Sequence, residues 1–166
     1  MRVEVIDIGK TRSEAKKDIL HKLPLVSKVF QFNNVIGDIK LEYIEFKVLK
    51  YEVISKNKNN NLFRRESQKE NITILVNTYN GHSESVDKMP ITSKKYVSKS
   101  CIRKNKINED DLVSLVKEQI IKKLTDKLKF DSINKVNIEI NVLEIKSIYK
   151  PYWVADFRGR NIFIDS

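Results

Sequence analysis

Ile39-Lys-Leu-Glu-Tyr-Ile-Glu-Phe-Lys-Val-Leu49 and Ile138-Glu-Ile-Asn-Val-Leu-Glu-Ile-Lys-Ser-Ile148 decide how this chain is read. Laid one on the other, they agree in apolar or polar class at ten of eleven positions, and only Val48 against Ser147 differs. Each stretch alternates with the two-residue period of a strand. Each also breaks phase at a matched place, Tyr43-Ile44 and Val142-Leu143. Alternation that changes phase predicts a long strand with a bulge or a sharp bend.

The match extends outward. Upstream, Lys16-Lys-Asp-Ile-Leu-His-Lys-Leu23 lies over Lys117-Glu-Gln-Ile-Ile-Lys-Lys-Leu124. Leu112, Leu115, Val116, Ile120, Leu124 and Leu128 fall on one stripe of a helix, and Ala15, Ile19, Leu20 and Leu23 form a shorter stripe. Thr11 with Glu14, and Asn108 with Asp111, have capping-box spacing: the first residue accepts a free backbone N–H and the acid reaches back. The acids also suit the positive end of the helix dipole. Pro24 stops the first helix early. Strands are predicted before each helix, over residues 2–8 and about 95–103, and after each long strand, over 71–79 and 161–166.

The unit is therefore strand, helix, long strand, strand, written twice: residues 1–87, then 88–166 with a basic connector strand at its start. The expected fold is α+β, with two tandem β-α-β-β units related by a pseudo-twofold duplication. A mostly antiparallel sheet carries the helices on one face, since alternating strands leave the other face wet. A unit of this size buries little alone, so one continuous structural domain is expected. The element order resembles that of small helix-on-curved-sheet modules of the cystatin or PepSY kind, in order alone and with no diagnostic motif. The hairpins differ. Phe157-Arg-Gly-Arg160 turns tightly on Gly159, whereas the polar tract from Lys56 to Glu70 makes a long excursion, and Asn80-Gly81 ends the first unit's last strand.

Composition bounds the function. The chain has 166 residues, 40% of them hydrophobic, with four Gly and three Pro, which is enough for a core and too few breakers for long disorder. No basic start leads into an unbroken apolar run, and no window is apolar enough to span a membrane, so a cytoplasmic location is expected. The lone Cys101, with His21 and His82 far apart, offers neither a disulfide nor a thiolate zinc site; no metal and no cofactor is expected. The net charge is +10, which attracts phosphate backbones and acidic proteins. The excess is carried mostly by Lys, spread over every element, which equally describes a solvated surface.

Catalytic motifs are not found. Cations beside Cys101 in Ser98-Lys-Ser-Cys-Ile-Arg-Lys104 favour a thiolate, but nothing ties a histidine to it, and a small apolar side chain on a strand is the plainer reading. Asp156 and Asp165 lie on opposite arms of the last hairpin, with Arg158 and Arg160 at hand to pair with them. No Gly-rich phosphate cradle occurs. Two binding candidates remain. Tyr149, Lys150, Tyr152 and Trp153 surround Pro151, which lacks a ladder donor and so predicts a bulge or an edge, either as a partner surface or as a core anchor. Arg64, Arg65, Lys94, Lys95, Lys99, Arg103, Lys104 and Lys106 are placed to track a phosphate backbone. The sequence thus points to a non-catalytic binding or assembly protein of unspecified ligand. Its partner is another protein or a second copy of itself, in a homo-oligomer joined through exposed strand edges. The alternative is a basic nucleic-acid-associated protein.

Overall fold

The computed structural model describes residues 1–22, 39–57, 67–127, 136–157 and 159–166. In chain order these form β1 (Arg2–Ile6), α1 (Arg12–Lys22), β2 (Lys40–Asn57), β3 (Ser67–Asn77), β4 (Ser83–Ser85), β5 (Thr92–Tyr96), a short 3-10 turn (Lys99–Cys101), α2 (Glu109–Lys127), β6 (Val136–Phe157) and β7 (Arg160–Asp165). The seven strands make one mixed, mostly antiparallel sheet in the order β4-β3-β2-β6-β1-β5, with β7 also paired to β6. Parallel contacts join Val5 of β1 to Tyr149 of β6 and, as an isolated bridge, Tyr43 to Ile102. The fold is α+β, as the patterning implies.

Contacts divide the chain into two compact units. The first holds Met1–Glu45, Pro90–Lys104 and Ile148–Ser166; the second holds Phe46–Met89 and Asn105–Ser147. The division falls inside β2 and β6, so each unit draws on residues from both sides of the boundary expected at 87 and 88.

In the first unit α1 rests on the hairpin of β6 and β7. Ala15 and Ile19 pack with Ile39, Ala155 and Ile164, flanked by Trp153 and Ile162. A second cluster joins Val3, Val5, Val97 and Tyr149, with Tyr43, Cys101 and Ile102 against it. In the second unit α2 rests on the hairpin of β2 and β3. Leu112, Val116 and Ile120 meet Leu49, Tyr51, Val53, Ile74 and Val76. The buried residues of α2 recur at three- and four-residue spacing, so one stripe faces the sheet. Both helices are capped as their sequences imply. Thr11 and Glu14 bond each other, with Glu14 also accepting the Thr11 N–H at 2.8 Å. Asn108 accepts the Asp111 N–H at 2.8 Å. Leu23, Pro24 and Leu128 lie outside the described residues.

Several expectations need correction. The phase change at Tyr43-Ile44 lies before the ladder of β2 with β3, whose register runs unbroken from Phe46↔Asn77 to Lys56↔Ser67. Burial in β2 falls on one face at Ile44, Phe46 and Val48 and on the other at Leu49, Tyr51 and Val53, so the buried face changes at Val48-Leu49. The matched doublet in β6 behaves differently: Val142 packs toward the core of the second unit while Leu143 is exposed. The polar excursion is shorter than the sequence implies, because both arms of its hairpin continue as strand to Asn57 and from Ser67. The strand predicted over 95–103 is β5, earlier and shorter; Ser98 caps a 3-10 turn that ends the extended run. Pro151 sits within an unbroken β6. It falls between the β1 contact at Tyr149 and the start of β7 pairing at Tyr152, and neither of those two registers includes it.

Candidate functional site

The aromatic candidates divide between the two faces of β6. Tyr149 is buried in the Val3 cluster. Trp153 is half-buried beside the α1 cluster, and its indole N–H donates to the Lys10 carbonyl at 3.0 Å. Tyr149 is thus a core residue of the first unit, and Trp153 flanks its α1 cluster while keeping part of its surface exposed. Lys150 and Tyr152, of opposite parity along the strand, turn to the other face. There Tyr152 meets Phe163 edge to face at 6.2 Å, and Lys150 lies 5.4 Å from the Tyr152 ring and 3.1 Å from Asp165. Arg103, a member of the basic set, stacks 4.9 Å from Phe163 and holds Glu42 at 2.6 Å. The structure therefore brings part of each candidate set together. Phe163 completes this network although it was not singled out from sequence; the available signal was its cross-strand place opposite Val154 in the last hairpin. Cations and carboxylates here satisfy one another, which suits a structural clasp.

The other basic candidates are dispersed. Lys95 pairs with Asp7 at 3.1 Å, and Ser93 donates to the same carboxylate at 2.8 Å. Those hydrogen bonds, Ser93 first and then Lys95, hold the Asp7 carboxyl below its usual range. Lys94 stands opposite Glu4 in the β1 ladder, and Lys99 lies in the 3-10 turn. Lys106 belongs to the second unit, 3.9 Å from the Tyr79 ring. Arg64 and Arg65 lie outside the described residues.

The nucleophile and carboxylate candidates do not converge. Cys101 sits in the 3-10 turn against the Val3 cluster. His21 is in the last turn of α1, and His82 follows the turn at Gly81. Asp156 accepts the Gly159 N–H at 2.9 Å and stands opposite Asn161, whereas Asp165 stands opposite Tyr152. Arg158 lies outside the described residues. An open cleft of about 500 Å³ beside α1 is lined by Lys10, Asp18, His21, Lys22 and Asp165, where Lys10 and Asp18 neutralise each other at 2.7 Å. Among the described residues no cluster of His, Cys, Asp or Glu could hold a metal ion, and no helix is long and apolar enough to cross a membrane.

One feature has no internal partner to explain it. Strand β5 ends the sheet beyond β1, and among the described residues no strand pairs with its outer side. Its ladder fixes which backbone groups face outward. Met1 and Val97 exchange both of their bonds, each at 2.9 Å, and antiparallel pairs alternate between bonded and non-bonded. Ser93, Lys95 and Val97 therefore point their N–H and C=O groups at β1, while Thr92, Lys94 and Tyr96 point theirs away from the sheet. Tyr96 is 84% exposed and Ile91, just before the strand, is 83% exposed. At the opposite end of the sheet, β4 is three residues of Ser-Glu-Ser and presents no large apolar side chain.

Compared with known protein families, with characterised proteins and with solved structures, the chain matches none.

Proposed function

We propose that this is a non-catalytic binding protein whose working surface is the outer edge of β5. The observation that carries the reading is the coincidence of outward backbone groups at Thr92, Lys94 and Tyr96, unpaired among the described residues, with the two most exposed large apolar side chains of that set, Ile91 and Tyr96. A sheet edge is a template for another strand, and Lys94 and Lys95 guard this one against a second copy while leaving it open to a partner of opposite charge. Exposed aromatic and aliphatic side chains beside the edge add the contact area that strand addition needs. The surface is read as one for proteins, with the cytoplasm as the expected compartment.

A second reading has one observation in its favour. Tyr96 stands beside Lys94 and opposite Arg2, and a ring flanked by cations is a place for a nucleic-acid base to stack. We also propose that the chain descends from a duplicated β-α-β-β half. What supports this, beyond the sequence match, is that each helix rests on the hairpin of the other half of the sequence: α1 on β6 and β7, α2 on β2 and β3.

Photocrosslinking separates the two functional readings. A photoreactive phenylalanine analogue at position 96, compared with one at exposed Lys122 on α2, should give a protein adduct in cells at 96 alone. Adducts that disappear after nuclease treatment favour the second reading, and no adduct at 96 overturns the first.

A further inference from the structure

The geometry points to an extended acidic segment of a partner protein as the occupant of the β5 edge, added to the sheet as a further strand. This rests on the binding reading above and names its partner by chemistry. Thr92, Lys94 and Tyr96 offer three outward N–H donors and three outward carbonyl acceptors at the alternate spacing of a strand. Only another backbone supplies both complements in that order. Alternation also puts the side chains of these three residues on one face, with Arg2 across from Tyr96. Arg2, Val3, Glu4 and Lys94 line a cleft of about 220 Å³ on this part of the sheet. Glu4 lies on the inner side, where it accepts the Thr92 hydroxyl at 3.4 Å; an added strand lies on the outer side of Lys94. An acidic side chain opposite Lys94 and an apolar one against Tyr96 complete the match.

The alternatives fit less well. In a symmetric antiparallel pairing of two β5 strands, the two registers that use most of the strand set Lys94 against Lys94 or Lys95 against Lys95. Like charges directly opposite are destabilising, and edge lysines are a usual device against self-pairing. A phosphate backbone has no donors for the three outward carbonyls, and Tyr96 is the only aromatic residue of the strand.

The test uses the full chain and fluorescence anisotropy with three labelled probes: a peptide of alternating Glu and Val, its counterpart with Lys for every Glu, and an oligothymidylate. The acidic peptide should bind at least about tenfold more tightly than the other two. Lys94→Pro removes one outward N–H and leaves the β1 ladder intact, because proline is tolerated where the N–H of an edge strand faces outward. It should weaken the acidic peptide about tenfold while the thermal midpoint stays near that of the parent chain. Should Lys94→Pro fail to fold, Lys94→Glu at the same exposed position should shift the preference about tenfold toward the basic peptide. Equal binding of both peptides, undiminished binding by Lys94→Pro, tighter binding of the oligothymidylate, or a dimer that Lys94→Pro abolishes would each overturn the proposal. If the acidic peptide fails but position 96 still crosslinks to a protein, the acidic chemistry is wrong and the binding reading stands. Loss of both overturns both.

Discussion

Tyr51 shows how a single polar atom is handled in the core of the second unit. The side chain is fully buried, and its hydroxyl donates to the Val113 carbonyl of α2 at 3.3 Å. Burial pushes its pKa up to about 12 from 10.0. A folded pKa above the unfolded one means the folded chain keeps a proton that the unfolded chain gives up. The stability this group lends is therefore whole below pH 10 and is lost as pH rises toward 12. Denaturant midpoints measured from pH 9 upward should fall across that window, and Tyr51→Phe should flatten the fall. At neutral pH the same variant should lose about 1 kcal/mol with the hydrogen bond. The exposed carboxylates behave oppositely. Asp7, held by Ser93 and then Lys95, and Asp18, held by Lys10, have lowered pKa values, so their contribution is present above pH 3.8 and fades as pH falls below it. Trp153 lies between core and surface. Its half-buried ring and its bond to Lys10 make it an anchor for α1, and Trp153→Ala should cost about 3 kcal/mol by urea unfolding.

Turns and caps are where local sequence dictates structure most directly. Gly81 and Gly159 both sit at positive φ, 75° and 77°, but a Cβ at Gly81 would lie 3.0 Å from Ile107 while one at Gly159 meets open space. Gly159→Ala should cost about 1 kcal/mol for the left-handed backbone alone, and Gly81→Ala should cost more because Ile107 must also move. Comparison of the two unfolding midpoints checks this. Asn108→Ala should remove the cap of α2 at about 1 kcal/mol, read as lost stability with unchanged β structure. These features were legible in sequence because each is settled within a few residues: both capping boxes, both glycine turns and the stripe on α2. β5 was misplaced because the apolar Val97 and Ile102 extend the look of a strand past Ser98, whose hydroxyl instead caps a 3-10 turn. The doublets in β2 and β6 read alike and diverge because burial depends on what lies across each face, which a single chain segment does not encode.

At the scale of the molecule, the sequence supplied the elements and the α+β class. Binary patterning says that a helix needs a sheet and does not say which one, so the seating of each helix on the hairpin from the other half was not foreseeable. The proposed binding edge was hidden for a similar reason. Lys94, Lys95 and Tyr96 read as part of a basic stretch, and only the ladder with β1 shows which of their backbone groups face outward. Amide hydrogen exchange across β5 addresses the account most directly. In the free chain Thr92, Lys94 and Tyr96 should exchange fast and Ser93, Lys95 and Val97 slowly, and saturation with the alternating Glu and Val peptide should slow the first set. Slow exchange at Thr92, Lys94 and Tyr96 before any peptide is added would mean the edge is already covered, and the proposed binding surface would not exist.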